Sequence, residues 1–342
     1  MKTGARIALA AITLIAGLTV YVLWGSGIFL TIPHQFSGQC RAVHGIKAAE
    51  DVVVQRDWHM AYLSSFDENT AGIFAYDLAA SDPQPVNILP AGFGAMRSLG
   101  MSIWHDPEGG ADRLFVVNRA GEPRIEIFEF ETPLSLRFVE RVTASAIRYP
   151  NDVAATGPSQ FYVSETHEGA PGSFYRLLET YLRLPTGKVL FFDGRRARVV
   201  VNGIGYPNGV AVAPGGREVY VASTATSEVF RLARQPNDDL RLIQRIKVPG
   251  RADNIDVGPD GTVTVALHPK ALDAARHLVD ASVIVPTRIV EIAMGDEPVV
   301  RTVYEDPGTE ISAGATGVIV GSRLLIGPVH DDHFLDCRMN GS

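Results

Sequence analysis

Glu50, Asp51, Asn151, Asn208, Asp253 and Asn254 share one placement: each stands just before, or one residue from, a short apolar run, as in Val52–Val54, Val210–Val212 and Ile255–Val257. Carboxylate and amide oxygens, with no thiol or imidazole in the set, are what a hard cation wants. Ca²⁺, which takes six to eight oxygens in tolerant geometry, suits them better than zinc, and Mg²⁺ would demand a stricter octahedron. One Asn or Asp ahead of a strand is ordinary turn chemistry. Five at equivalent points of successive segments ask for another reason, because turn chemistry does not require them all to face one point. A cation held there could polarise a carbonyl and stabilise a developing oxyanion. His167, in Glu165-Thr166-His167-Glu168, follows a strand near the same place and is a candidate substrate contact. No Gly-x-Ser-x-Gly elbow is present, which disfavours a serine hydrolase, and no glycine-rich turn leads into Lys-Ser/Thr, so none reads as a phosphate loop.

These residues can meet only if the chain returns repeatedly to one axis, and it carries a repeat that would do so. Asn151–Ala155 with Phe161–Ser164, Asn208–Val212 with Val219–Ala222, and Asp253–Val257 with Val263–Ala266 each read as strand, tight Gly/Pro turn, strand. Weaker copies span Gly100–Val117 and Thr316–Gly327, and Asp51–Asp77 opens the series. Third strands are expected at 124–130, 188–192, 228–232 and 288–292, and a fourth at 240–248. Six such units, spaced roughly 45–55 residues apart, predict an all-β fold, a six-bladed β-propeller. In a propeller the inner strand of every blade runs along the central channel, so residues just before those strands converge at one mouth. The helix-like stretch 270–280 reads as an insertion within a blade, and a β-sandwich would leave the recurrence unexplained.

The N-terminus has a different pattern. Lys2 and Arg6 precede an uncharged, proline-free run from Ile7 to Trp24, about what crosses ~30 Å of hydrocarbon, and no small-x-small cleavage site ends it. The expectation is an N-terminal transmembrane helix over residues 1–25 (uncleaved anchor, with a cleaved leader as the alternative), a linker over 26–39 and the propeller over 40–338. The basic flank would stay in the cytoplasm and place the propeller outside it, on the periplasmic or extracellular side. The two cysteines, Cys40 and Cys337, lie at opposite ends of that propeller and in an exported chain read as a disulfide, two free thiols being the alternative. A net charge of −7 offers no basic field for a phosphate backbone, so nucleic acid is not an expected partner.

Many short motifs in one order resemble the paraoxonase/arylesterase family, within the wider group of SMP-30/gluconolactonase propellers. They include Gly45-Ile46 and Glu50-Asp51 after Cys40, Ala61–Ser65, Val117-Asn118, Asn151-Asp152, Glu179–Leu182, Asn208-Gly209, Asp253-Asn254-Ile255, His268-Pro269 and Leu324–Gly327. The resemblance implies two calcium ions. A catalytic one would be held by Glu50, Asn151, Asn208, Asp253 and Asn254, and a structural one by Asp51, Asp152 and the backbone carbonyl of Met101. It also implies the Cys40–Cys337 disulfide, a retained N-terminal anchor, and small-molecule lactone or ester substrates, with Tyr206 and Thr316 lining the pocket.

One departure matters. The resemblance implies a pair of histidines that activates water, and the matching positions hold Leu99 and Arg119. Leucine has no proton to exchange and arginine stays protonated, so neither is a base; both become candidate substrate contacts. Three readings follow. A carboxylate at the metal, Asp253 or Glu50, deprotonates water or attacks directly; another histidine, His268 or His330, is the base; or the chain is a non-catalytic calcium propeller that binds a ligand or partner.

Overall fold

The computed structural model of the chain describes residues 2–340, so Met1, Gly341 and Ser342 lie outside the description. Helix α1 (Lys2–Trp24) precedes six antiparallel sheets that follow one another along the chain as blades around an axis. Blade 1 has inner to outer strands Val52–Gln55, Met60–Ser65, Gly72–Asp77 and Val86–Asn87; blade 2 has Ser98–Trp104, Arg113–Asn118, Arg124–Thr132 and Ser135–Val142. Blades 3 and 4 run Pro150–Gly157 to Ala197–Ile204 and Pro207–Val212 to Leu240–Lys247. Blade 5 runs Arg251–Val257 to Val299–Asp306 and gains a fifth strand, Gln35–Phe36, at its rim. Blade 6 takes three strands from the C-terminus, Gly314–Val320, Arg323–Pro328 and His333–Met339, and its outer strand, Gly38–His44, from the N-terminus.

Period-two patterning explains the ring. In Arg113–Asn118 the side chains of Leu114 and Val116 turn toward blade 1, while Phe115 and Val117 turn toward blade 3. Each blade face does the same with its neighbour, so the core divides into six apolar layers, one between each pair of adjacent blades, the last joining blade 6 to blade 1. Second strands such as Met60–Ser65 and Val263–His268 are buried along their whole length because both their faces are covered. Four buried tyrosines lie with their rings in these layers and their hydroxyls satisfied: Tyr62 donates to Pro133 O at 3.0 Å, Tyr162 to Asp238 O at 3.0 Å, Tyr76 to Asp336 at 2.7 Å and Tyr304 to Glu310 at 2.9 Å.

The six units match the repeat read from the sequence, and two features were absent from that reading, a second inserted helix and closure of the ring by strand exchange. A second helix, α2 (Phe174–Leu182), is inserted between the second and third strands of blade 3; it starts at Ser173, whose hydroxyl accepts from the Arg176 amide, and stops at Arg183 in the left-handed conformation. Helix α3 (Ala271–His277) fills the expected insertion in blade 5. The ring closes by strand exchange as well as by sulfur: Cys40 and Cys337 face each other across Gly38–His44 and His333–Met339 with Cα atoms 3.9 Å apart, and they form a disulfide.

Among the described residues no helix is long and apolar enough to cross a membrane.

Disulfide closure of so long a loop stabilises chiefly by restricting the unfolded chain, so Cys40→Ser with Cys337→Ser should cost about 2–5 kcal/mol and lower the thermal midpoint by ~5 °C or more. Calorimetry reads this directly, and a midpoint unmoved by the double substitution contradicts the assignment.

Candidate metal centre

The strand ladder breaks where the oxygen-bearing residues fall. Register shifts lie between Ser98 and Met101, Pro150 and Val153, Pro207 and Val210, Ala252 and Ile255, and Gly314 and Thr316. Every inner strand of blades 2 to 6 therefore carries a bulge at the same height, and a bulge re-aims the side chains it frees from pairing. Blade 1 reaches the same result by placing Glu50 and Asp51 just before its first strand residue, Val52. Two glycines permit the close approach this needs: a Cβ on Gly100 would lie 2.1 Å from Asp152 Oδ1, and one on Gly209 2.6 Å from the Ile255 amide.

The result is a buried cage of oxygens. Glu50 Oε2, Asn151 Oδ1, Asn208 Oδ1 and Asn254 Oδ1 are all shut off from solvent, and none has a hydrogen-bond partner. An orphaned buried acceptor costs on the order of 1–3 kcal/mol, so four together call for a cation. The amide groups are oriented by their other ends. Asn254 Nδ2 donates to Glu50 O at 3.0 Å, and Asn208 Nδ2 donates to Asp253 Oδ1 and, at 3.3 Å, to Thr224. Those bonds turn both carbonyl oxygens away from the donors. A set of one glutamate, one aspartate and three asparagines is oxygen-only and fits calcium.

Electrostatics point the same way. Glu50, Asp51, Asp152 and Asp253 are all buried, and among the described residues none is paired with a lysine or arginine within 4 Å. Burial, followed by repulsion from Asp253, Asp51 and Asp152, pushes the Glu50 carboxyl well above its usual range. Burial lifts Asp51 to about 7 and, helped by Asp51, lifts Asp152 far above the ordinary value. Asp51 and Asp152 are bound differently from the cage. Asp51 accepts from Val52 N at 2.8 Å and Met101 N at 2.7 Å; Asp152 accepts from Val153 N and Val210 N, both at 2.7 Å. Each carboxylate thus ties its own blade to the next, with lone pairs left for an ion.

Above the cage lies a cavity of about 230 Å³ whose floor includes Glu50, Asn151, Asn208 and Asp253. Leu99, Arg119, Tyr206 and His268 stand in its wall, so the structure brings these sequence candidates together. His268, ending the second strand of blade 5, places Nε2 2.7 Å from Asp253 Oδ2, and its Nδ1 is buried without a partner. The two residues read from sequence as rival bases are therefore one hydrogen-bonded unit.

Three other candidates do not line this cavity. Thr316 is buried and hydrogen-bonds Asp51 Oδ1 at 3.3 Å, which places it as support for a carboxylate. His167 is buried behind Tyr206, edge-on at 4.7 Å, and burial together with Arg176 holds it down near a pKa of about 4. His330 packs against His277 at 4.9 Å, behind the wall, where burial lowers its basicity; it is not placed to act as base. Sequence reasoning had no signal for Ser26, Phe66, Arg183, Arg251 or His277, which also form the wall. Ser26, Phe66 and Arg183 come from loops and helix ends, Arg251 opens the inner strand of blade 5, and His277 belongs to α3, where its position in the one recognised helical insertion was the available hint.

The family model for arylesterases matches residues 50–338. The chain belongs to the arylesterase family. This arylesterase-family chain is 26% identical to the human serum paraoxonase/arylesterase 2 over 317 residues, covering 87% of this chain and 87% of that protein. It is 28% identical to the rat protein of the same name over 312 residues, covering 85% and 86%. Among solved structures it is similar to a gluconolactonase from Xanthomonas campestris, with a TM-score of 0.57, 14% identity and coverage of 90% and 94%. It is also similar to a calcium-binding regucalcin from Agrobacterium tumefaciens, with a TM-score of 0.51, 13% identity and coverage of 91% and 98%. At such identities these structures speak for the propeller fold alone.

If the cage is built for calcium, a chelator should lower the melting temperature and Ca²⁺ should restore it better than Mg²⁺, with ~2.7 kcal/mol of stabilisation when the ion is at 100 times its Kd. Glu50→Gln or Asp253→Asn should weaken calcium affinity by tenfold or more in calorimetric titration. Identical melting with and without chelator would leave the four orphaned oxygens unexplained and sink the assignment.

Proposed function

We propose that this arylesterase-family chain is a calcium-dependent hydrolase of lactones or carboxylic esters, working in the cavity above the oxygen cage. The observation that carries the reading is the set of orphaned oxygens, Glu50, Asn151, Asn208 and Asn254, beside the hydrogen-bonded Asp253–His268 unit on the floor of one cavity. Family membership supports it, as do relatives named for paraoxonase and arylesterase activity. Calcium at the cage would polarise the substrate carbonyl and stabilise the oxyanion that forms there.

The chain's own residues supply the remainder. Glu50, Asn151, Asn208, Asp253 and Asn254 hold the ion, and Asp51 and Asp152 with the Met101 carbonyl hold a second, structural one. Asp253 takes the proton from the attacking water, a role that neither Leu99 nor Arg119 can fill. His268 Nε2 fixes the Asp253 carboxylate at 2.7 Å, and Asn208 fixes its other oxygen. His268 is thus a positioning residue. Glu50, whose Oε2 has no hydrogen-bond partner, is the second carboxylate that would hold the ion.

The reading extends to the membrane. Twenty-three residues of α1 make a helix of about 34 Å at ~1.5 Å per residue. Its described apolar side chains, from Ile7 to Tyr21, are exposed, and the Thr13 and Thr19 hydroxyls bond back to the carbonyls four residues earlier at 2.9 Å, which suits hydrocarbon. The segment after it reaches the cavity mouth, where Ser26 O accepts from Ala271 N at 2.7 Å, and exposed Phe29, Phe174, Tyr181 and Val279 give that region an apolar rim. We take α1 as an anchor that holds the propeller outside the cytoplasm with its mouth toward the bilayer.

Hydrolysis of phenyl acetate and a panel of lactones should vanish with chelator and return with Ca²⁺. Asp253→Asn should lower kcat by at least 100-fold, His268→Gln by about tenfold, and His330→Ala by less than twofold. Should the calcium-loaded wild type hydrolyse none of them, a non-catalytic binding propeller takes the place of the enzyme; should His268→Gln match Asp253→Asn in loss, the histidine becomes the base. For the anchor, the full chain should float with vesicles of neutral phospholipid and a chain lacking residues 2–24 should not, equal behaviour of the two arguing against it.

A further inference from the structure

Charges of both signs share the cavity, where the carboxylates Glu50, Asp253 and Glu179 stand beside three arginines. Arg119, Arg183 and Arg251 line it, and among the described residues none has a carboxylate within 4 Å. Two of the three have evident structural work. Arg251 donates to the carbonyls of Thr224, Ala225 and Gly25, the last at 2.7 Å, which pins the segment after α1 to the mouth. Arg183 lies over the Tyr21 ring at 5.0 Å.

Arg119 is different. Its guanidinium makes no side-chain hydrogen bond among the described residues, and the Phe66 ring is 5.9 Å away, a loose contact beside the 3.9 Å stacking of Arg97 on the same ring. Arg97 also donates to Phe66 O at 3.1 Å, and Arg176 to Gly169 O at 3.0 Å while it stacks on Tyr149 at 4.9 Å. Those two are accounted for as structural groups, yet their charges add to the field at Arg119. A guanidinium stays charged and carries five N–H donors in a planar fork. Arg119 is only half-buried, and an arriving anion with two oxygens would gain paired, charge-assisted hydrogen bonds from its free fork. Apolar side chains, among them Phe66, Leu99, Leu272, Leu278 and Val329, line the same cavity.

We propose that Arg119 grips a carboxylate on the substrate, so that the cavity selects lactones and esters that carry an anionic two-oxygen group a short spacer away from the scissile carbonyl. Arg183 and Arg251 at the mouth draw such anions in, and the apolar wall accepts the rest of the molecule. This inference deepens the hydrolase reading and rests on it, since the cage holds the other end of the substrate. Leu99 and Arg119, which leave the site without a histidine base, thereby become the pair that changes its specificity: one supplies apolar surface and the other the anion anchor.

The test uses matched compounds that differ only in the distal carboxylate, monophenyl glutarate against phenyl valerate as substrates, and glutarate against valerate as ligands, all with the full calcium-loaded chain. In the wild type kcat/KM should favour monophenyl glutarate by about 10–100-fold, mainly through KM, and the preference should shrink as salt rises. Arg119→Gln should bring that ratio near one, and Arg119→Lys should keep part of it. Calorimetry should show glutarate binding more tightly than valerate in the wild type and equally in Arg119→Gln, a readout that needs no turnover. Preference for glutarate without hydrolysis of either ester would keep the anchor and overturn the enzyme. Hydrolysis with the same anionic-to-neutral ratio in wild type and Arg119→Gln would keep the enzyme and overturn the anchor.

Discussion

Four carboxylates, Glu50, Asp51, Asp152 and Asp253, are buried around one axis with no lysine or arginine to pair them. Like charges in a low-dielectric interior repel strongly, and Asp51 and Asp152 are relieved in part by backbone amides from neighbouring blades. Glu50 has less relief, and its Oε2 has none. Like charge therefore concentrates at the centre of this ring, and the blades around it must be rigid enough to tolerate that. Six apolar layers, each shared by two blades, provide the rigidity. No blade has a core of its own, so none can loosen without exposing its neighbours.

That arrangement explains why the ends of the chain are joined twice. A ring of blades is only as firm as its seam, and here the seam lies within blade 6, where Gly38–His44 completes a sheet begun by the C-terminal strands. The Cys40–Cys337 disulfide sits in the middle of that pairing. Further along the N-terminal segment, Gln35–Phe36 pairs with the rim of blade 5, and the stretch from Gly25 runs across the cavity mouth under Arg251. Seam, mouth and helix α1 are consecutive pieces of one chain segment, so strain at the helix is transmitted both to the closure and to the entrance.

Chemistry at the mouth follows from what lines it. The cage and the Asp253–His268 unit form an oxygen-rich floor, whereas the wall combines apolar side chains with an arginine that has no partner. Where related chains have a histidine pair on the grounds of the family resemblance, this one has Leu99 and Arg119, a replacement that removes a base and adds a fixed cation. The metal-holding half of the site is set by residues at or just before the inner-strand bulges, whereas the wall draws on inner strands, second strands, loops and the inserted helices.

Much of this architecture was legible in the chain because propeller blades repeat. Asn151, Asn208 and Asp253 recur at the same phase of successive strand pairs, so periodicity alone implied a ring and a shared axis. The apolar alternation of strands such as Arg113–Asn118 implied faces packed on both sides. Other facts were decided only in three dimensions. Period-two reasoning assumes an unbroken ladder, and the bulges at Pro150–Val153, Pro207–Val210 and Ala252–Ile255 shift register at the very residues that matter. For that reason the sequence could rank Asp253 and His268 as alternatives but could not show that they touch. Helix α2, nine residues between two strands, interrupts the blade repeat and so falls outside its pattern. Cavity members such as Ser26, Arg183 and His277 lie on non-repeating segments, where no neighbour in sequence constrains direction. Repetition told which residues lie near the axis; only the folded backbone, by bending where pairing fails, determined which way each side chain points and which of them share a space.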